Sequence, residues 1–176
     1  MPTLAKTVWL TGLPASGKTT LAVGLHDLLE VQGVPSVLID GDEFRKAICT
    51  DLGYYLEDRL ENIRRAASMA RMVNDSGIIA ICSFVSPTVG IRNLAKSIIG
   101  EGRYIEVYVS TPLVVCEQRD PRGLYVKARK GLIADLTGID SPFDPPHAPF
   151  YSIDTSNLSP SEAIARLASR VETLFC

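Results

Sequence analysis

Nine consecutive residues near the amino end, Gly12-Leu13-Pro14-Ala15-Ser16-Gly17-Lys18-Thr19-Thr20, restrict the fold of this chain more than any other feature. They match the phosphate-binding pattern of glycine, four residues, glycine, lysine, then serine or threonine. The apolar run Val8-Trp9-Leu10 precedes them, and the helical pattern Leu21-Ala22-Val23-Gly24-Leu25 follows. A strand, a glycine-rich loop and a helix start are the context that separates a phosphate cradle from a chance glycine-rich turn. Gly12 and Gly17 let the backbone curl until its amides point at phosphate oxygens, and the helix start adds free donors. In such a loop Lys18 reaches the β- and γ-phosphates of ATP, and the Thr19 hydroxyl holds Mg²⁺.

The rest of the chain repeats the alternation. Continuous apolar runs predict strands at 7–11, 36–39, 78–83, 104–109 and 150–153, and helical patterns fall at 18–32, 43–49, 58–75, 87–99, 112–118 and 160–175. Unbroken runs mark strands buried on both faces, so the expectation is an α/β fold: a mostly parallel sheet of about five strands with helices on both faces. Ligands then bind beyond the carboxyl ends of the strands. The 176 residues, 46% of them hydrophobic, suit one globular domain spanning 1–176. A net charge of −2 gives no nucleic-acid footprint, no run reaches membrane-span length, and the first residues lead straight into a strand, so a cytoplasmic location is expected. Cys49, Cys82 and Cys116 sit among apolar neighbours as buried thiols, Cys176 is expected to be exposed, and His26 is read as a helix-surface residue without a partner.

One segment departs from the alternation. Residues 120–149 lack a long apolar run and carry Arg122, Lys127, Arg129 and Lys130 with three glycines and five prolines. A basic, glycine-hinged stretch in a phosphate-handling protein reads as a lid, the alternative being a solvated loop. Elsewhere the chemistry gathers at strand ends. Asp40 and Asp42 close the second strand, with Asp42 the first choice to act on an attacking hydroxyl or on the metal's water shell; its other reading is a helix cap. The helix over 58–75 puts Leu60, Ile63, Ala67 and Ala70 on its core stripe and Arg59, Asn62, Arg64 and Arg65 elsewhere, as ligand groups or as solvated surface. Ser86, after the third strand, is either a helix cap or part of an anion-friendly edge.

Taken together these pieces resemble the adenylylsulfate kinase (APS kinase) family. The matching segments are Gly12 to Thr19, Asp40-Gly41-Asp42 with Arg45, Leu52-Gly53-Tyr54, Asp58-Arg59 followed by Glu61-Asn62-Ile63-Arg64-Arg65, Ser83-Phe84-Val85-Ser86-Pro87, Arg119-Asp120, Gly123-Leu124-Tyr125, Lys127-Ala128-Arg129 and Thr137-Gly138-Ile139-Asp140. They run in family order from about residue 7 to about residue 150, and the Glu-Asn-Ile-Arg-Arg and Thr-Gly-Ile-Asp pieces are far more specific than the phosphate loop. The resemblance implies a three-layer P-loop kinase fold and ATP-dependent phosphorylation of the ribose 3′-hydroxyl of adenosine 5′-phosphosulfate (APS), giving PAPS and ADP in sulfate assimilation. It implies that Asp42 polarises the hydroxyl or supports Mg²⁺ with Thr19, that Arg45, Arg59 and Asn62 grip the phosphosulfate beside Asp40, and that Val85 and Ser86 line the same pocket. Ser86 is the family position to which a phosphoserine intermediate has been assigned, although in-line transfer needs none. Arg119 is placed against the ATP base, the lid over both nucleotides, and the protein in a homodimer.

Three departures bear on the acceptor. The family's two phenylalanines around the substrate adenine correspond here to Tyr54 and Leu136, its lysine before Gly-Leu-Tyr to Arg122, and the asparagine after Asp42 to Glu43. Leucine offers no stacking face, and stacking is worth roughly 1–3 kcal/mol per base. A different nucleotide-like acceptor, such as a cytidine nucleotide, therefore stays open, as does a nucleotide-binding protein without catalysis. A guanine-reading Asn-Lys-x-Asp segment is missing, which argues against a GTPase switch.

Overall fold

The structure, a computed structural model, describes residues 5–175. Cys176 and residues 1–4 lie outside the described residues. Five strands, β1 (Thr7–Thr11), β2 (Ser36–Asp40), β3 (Ile79–Ser83), β4 (Tyr104–Val109) and β5 (Tyr151–Ile153), form one parallel sheet in the order β2-β3-β1-β4-β5. The helices are α1 (Lys18–Val31), α2 (Gly41–Ile48), α3 (Leu56–Asp75), α4 (Val89–Ile99), α5 (Leu113–Arg119), α6 (Leu124–Arg129) and α7 (Pro160–Val171), the last followed by a 3-10 turn at Glu172–Leu174.

The pleat of β1 explains the three layers. Val8 and Leu10 point to one face, where they meet Leu21 and Leu25 of α1 and Leu167 of α7. Trp9 points to the other, among Ile63 and Ala67 of α3 and Ile91 and Ala95 of α4. All three β1 residues are fully buried, as the unbroken apolar run requires. The α3 stripe is as expected with Ala66 added, while Leu60 is only partly buried. Because α1 and α4 cross on opposite faces, the chain leaves β1 toward β2 and leaves β3 toward β4. The crevice opens between these neighbours, at the carboxyl ends of β1 and β3.

Local chemistry moves several element ends. Helix α2 begins at Gly41 because Asp40 caps it, its Oδ1 accepting the Asp42 amide at 3.0 Å. The capping role considered for Asp42 therefore belongs to Asp40. Helix α4 begins at Val89, capped by the Thr88 hydroxyl, so Ser86 is no cap. The capping box of Ser159 and Glu162 opens α7, with Pro160 in its first turn. The basic segment is not wholly irregular: α6 lies within it, fixed by Tyr125, which is 1% exposed. Cys49, Cys82 and Cys116 are free and buried. His26 has a partner after all, its Nδ1 lying 2.8 Å from the Ser36 hydroxyl.

Candidate active site

The phosphate loop is built by backbone that only glycine adopts with ease. Gly12 has φ 153° and Gly17, at the start of α1, φ 106°. A Cβ on Gly12 would stand 2.5 Å from the Val109 carbonyl oxygen, a backbone atom with little room to yield. Behind the loop, the Ser16 carbonyl accepts from the Thr111 and Thr155 hydroxyls, each at 2.9 Å. The Tyr125 hydroxyl donates to the Pro14 carbonyl at 2.9 Å, joining α6 to the loop. Thr111 and Thr155 escaped the sequence reading, and Tyr125 entered it only as part of a family-like segment, since each braces the loop from a strand end or helix remote in sequence. The available signals were the family-like piece Gly123-Leu124-Tyr125 and the position of Thr155 two residues beyond β5.

Lys18 lies within this cradle, 8% exposed, its ammonium donating to the Leu13 carbonyl at 2.7 Å. Burial pulls its pKa down to about 8, against the opposing pull of the Cys116 thiol and the Asp42 and Asp40 carboxylates. The Thr19 hydroxyl, the expected metal ligand, donates to Asp40 Oδ2 at 2.7 Å. Asp42 turns elsewhere: Arg122 from the basic segment reaches across to it, Nη1 to Oδ2, at 2.6 Å. The two carboxylates thus have different partners, Asp40 the Thr19 hydroxyl and Asp42 the Arg122 guanidinium. Asp40 stands by the threonine that would hold a cation, while Asp42 faces the mouth of the cavity. Glu43 points away, paired with Lys46 at 2.7 Å on the exposed side of α2.

A cavity of about 950 Å³ joins these groups, at the upper end of the usual range for ligand sites. At one end Thr155, Leu158 and Ala163 line it with Arg119. The Arg119 guanidinium is held by the Thr155 hydroxyl and carbonyl at 2.8 and 2.7 Å. Pro14, Ala15, Gly17, Lys18, Thr19 and Thr20 line the middle, with Asp40 and Asp42 opposite. Of the predicted loop residues, Gly12, Leu13 and Ser16 lie behind this surface as scaffold.

The far end brings together Arg45, Tyr54, Arg59, Asn62 and Leu136, as expected, with Val85 and Ser86 at its floor and Arg122 at its rim. Asn62 is 6% exposed and its Oδ1 has no hydrogen-bond partner among the described residues, an acceptor held ready for a ligand. Ser86 is 2% exposed, in a left-handed conformation at φ 43°, and its hydroxyl accepts from the Trp9 indole at 3.0 Å. Arg92 fixes that turn by donating to the Ser86 carbonyl at 3.0 Å. Arg45 and Arg59 line the cavity but spend donors on the loop that carries Tyr54: Arg45 on the Gly53 carbonyl at 2.6 Å, Arg59 on the Tyr54 carbonyl at 2.7 Å. Arg64 and Arg65 are outside, in an ion-pair cluster with Glu61 and Asp51.

A model of the adenylylsulphate kinase family matches residues 4–154. The chain belongs to that family. An adenylyl-sulfate kinase of Shewanella amazonensis is 48% identical over 160 residues, covering 91% of this chain and 81% of its own. Among solved structures, an APS kinase of Mycobacterium tuberculosis in complex with AMPPNP and APS superposes with a TM-score of 0.92 at 37% identity, over 97% of this chain and 99% of that one. A hexameric APS kinase from Thiobacillus denitrificans gives a TM-score of 0.73 at 26% identity, over 99% of this chain and 30% of that one. Family membership accounts for the shared α/β fold.

Proposed function

We propose that this kinase transfers the γ-phosphoryl group of ATP to the ribose 3′-hydroxyl of adenosine 5′-phosphosulfate, forming PAPS and ADP. The observation that carries the reading is one cavity of about 950 Å³ whose lining includes the phosphate loop, Asp42, Arg119 with Thr155, and Tyr54 with Leu136. ATP occupies the end beside Arg119 and Thr155, its phosphates wrapped by the loop amides and met by Lys18. The acceptor occupies the end between Tyr54 and Leu136, with Asn62 offering its unpaired oxygen. Asp42 leaves Arg122, takes the proton of the attacking hydroxyl and aims it at phosphorus; Arg122 is then free for phosphate oxygens. The bond from the ribose oxygen to phosphorus forms as the bond from phosphorus to the β–γ bridging oxygen breaks, and the electron pair departs on ADP. Nothing in this sequence requires a covalent enzyme intermediate, and the buried Ser86 serves as floor.

Thr19 and Asp40 supply an oxygen-only donor pair, the chemistry that suits Mg²⁺. When bound there, Mg²⁺ neutralises charge on the β- and γ-phosphate oxygens. Lys18 and the loop amides position and stabilise the same charge, the larger part of phosphoryl-transfer catalysis. A homodimer in the cytoplasm completes the reading. Among the described residues no helix is long and apolar enough to cross a membrane, and a hexameric relative supports self-association of the fold.

A second acceptor class is favoured by one observation, the missing aromatic face at Leu136. ADP release measured with MgATP and a panel of APS, adenosine and cytidine nucleotides decides between them. Turnover of APS with a kcat/KM at least tenfold above every other acceptor supports the reading; a cytidine nucleotide ahead of APS overturns it. A catalytically silent binding protein would release no ADP with any acceptor, against the presence of Lys18, Thr19 and Asp42 in the lining of one cavity.

A further inference from the structure

The phosphate loop holds one peptide against the preference of its own residue. Ala15 has φ 59°, in the left-handed region where a Cβ is crowded by the backbone. Pro14 fixes its own φ, but the Pro14–Ala15 peptide can still turn about the two bonds that flank it. Half a turn would return Ala15 to a negative φ. It would also reverse the Ala15 amide, because carbonyl and N–H point opposite ways across a trans peptide. Among the described residues the Pro14 carbonyl accepts one hydrogen bond, from the Tyr125 hydroxyl at 2.9 Å, and the Ala15 amide donates none. Both loop residues line the cavity. We propose that Tyr125 is a positioning residue for phosphoryl transfer, its hydroxyl holding the Pro14–Ala15 peptide so that the Ala15 amide stays turned toward the phosphates of ATP. The proposal rests on the reading that ATP phosphates occupy this loop and does not depend on which acceptor is phosphorylated.

The donor is itself held in place. Tyr125 lies in α6 and is 1% exposed, so its ring has one seat. Helix α6 opens at Gly123, in the left-handed region at φ 66°, and Asp120 Oδ2 accepts the Val126 amide at 3.0 Å, which ties the preceding turn to the helix. Burial pushes the phenol's pKa up, so the hydroxyl keeps the proton it donates. The neighbouring loop carbonyls have other partners. Leu13 accepts from the Lys18 ammonium at 2.7 Å, and Ser16 accepts from the Thr111 and Thr155 hydroxyls. Tyr125 alone therefore guards the peptide whose flip would cost the loop a donor. Amides of such a loop cradle the α- and β-phosphates, and they act without reorganisation only if they already face the charge. A phenylalanine at 125 would keep the ring packed and leave the Pro14 carbonyl without its donor.

Two variants test the assignment through kinetics and hydrogen exchange. Tyr125→Phe removes the hydroxyl, and Ala15→Gly removes the preference that the hydroxyl opposes, since glycine takes positive φ readily. With APS as acceptor, Tyr125→Phe should lower kcat/KM for MgATP about tenfold or more, while the KM for APS stays within about twofold and Tm within about 4 °C. In the Ala15→Gly background the same change should cost less than about threefold, because the flip no longer relieves strain. In the MgADP complex, nuclear magnetic resonance should show the Ala15 amide at least about tenfold less protected from exchange in Tyr125→Phe than in wild type, with β1 and β3 unaltered. An unchanged kcat/KM for MgATP would leave Tyr125 a packing residue and overturn the proposal. So would an equal loss in both backgrounds, an equal rise in the KM for APS, or unaltered protection of Ala15. If the wild-type protein turns over no APS, the acceptor reading fails first, and the exchange measurement still decides the role of Tyr125. Wild-type protein that binds no MgADP would overturn both.

Discussion

Lys18 should make ATP binding depend on pH in a range where neither phosphate nor carboxylate titrates. Its pKa is pulled to about 8 by burial, from a usual value of 10.5. ATP phosphates, placed beside the ammonium, restore its proton, so binding couples to proton uptake. Over pH 7.5–9.5 the phosphates keep a nearly constant charge, since a phosphate monoester's last ionisation lies about pH 6. If only the protonated form binds well, the dissociation constant for MgATP should rise about 25-fold across that window. Calorimetry at pH 8.5 in two buffers of different ionisation enthalpy should report uptake of about three-quarters of a proton per site. Stability carries the same signature with a definite sign. The unfolded chain keeps this proton up to about pH 10.5 and the folded chain releases it from about pH 8, so the unfolded state binds more protons in between. This group's contribution to stability therefore rises with pH through that window, and below it the buried charge costs about 3 kcal/mol. Lys18→Met removes that cost together with the hydrogen bond to Leu13, a charged bond worth about 1.5–3 kcal/mol. The net at pH 7 should be a gain of about 1 kcal/mol, some 2–4 °C in Tm, alongside the loss of the ATP-induced rise in Tm. A dissociation constant that stays flat from pH 7.5 to 9.5, or a slope that survives in Lys18→Met, would refute the reasoning.

Three further substitutions have expected outcomes. Asp42→Asn should lower kcat by about 10²- to 10⁴-fold with ATP affinity retained, as for a lost proton acceptor; full turnover in single-turnover assays would show the base has been misplaced. Gly12→Ala puts a methyl 2.5 Å from the Val109 carbonyl and should abolish ATP binding while costing about 1–3 kcal/mol of stability in urea unfolding. Leu136→Phe adds a second stacking face and should lower the dissociation constant for APS by at least about fivefold, read from competition with a labelled acceptor, with ATP affinity unchanged.

The phosphate loop, the parallel alternation and the family resemblance were legible in the chain because each depends on residues close together in sequence. A strand buried on both faces needs an unbroken apolar run, and a phosphate cradle needs its glycines and lysine at fixed spacing, so the pattern survives without knowledge of the fold. Helix ends were less legible, because Asp40 and Asp42 are equally able to cap and only the backbone path at the end of β2 chooses Asp40. Tertiary structure alone decided the partners of long charged side chains. Arg59 was read from its neighbours as an acceptor-binding residue, and the fold also sets its Nη1 2.9 Å from the Thr137 hydroxyl, 78 residues later. Arg122 finds Asp42 only because the segment after α5 returns to the end of β2 in the completed fold. Local sequence sets backbone conformation and burial period over a few residues; a guanidinium on a flexible stem is placed by whichever distant acceptors the completed fold delivers to it.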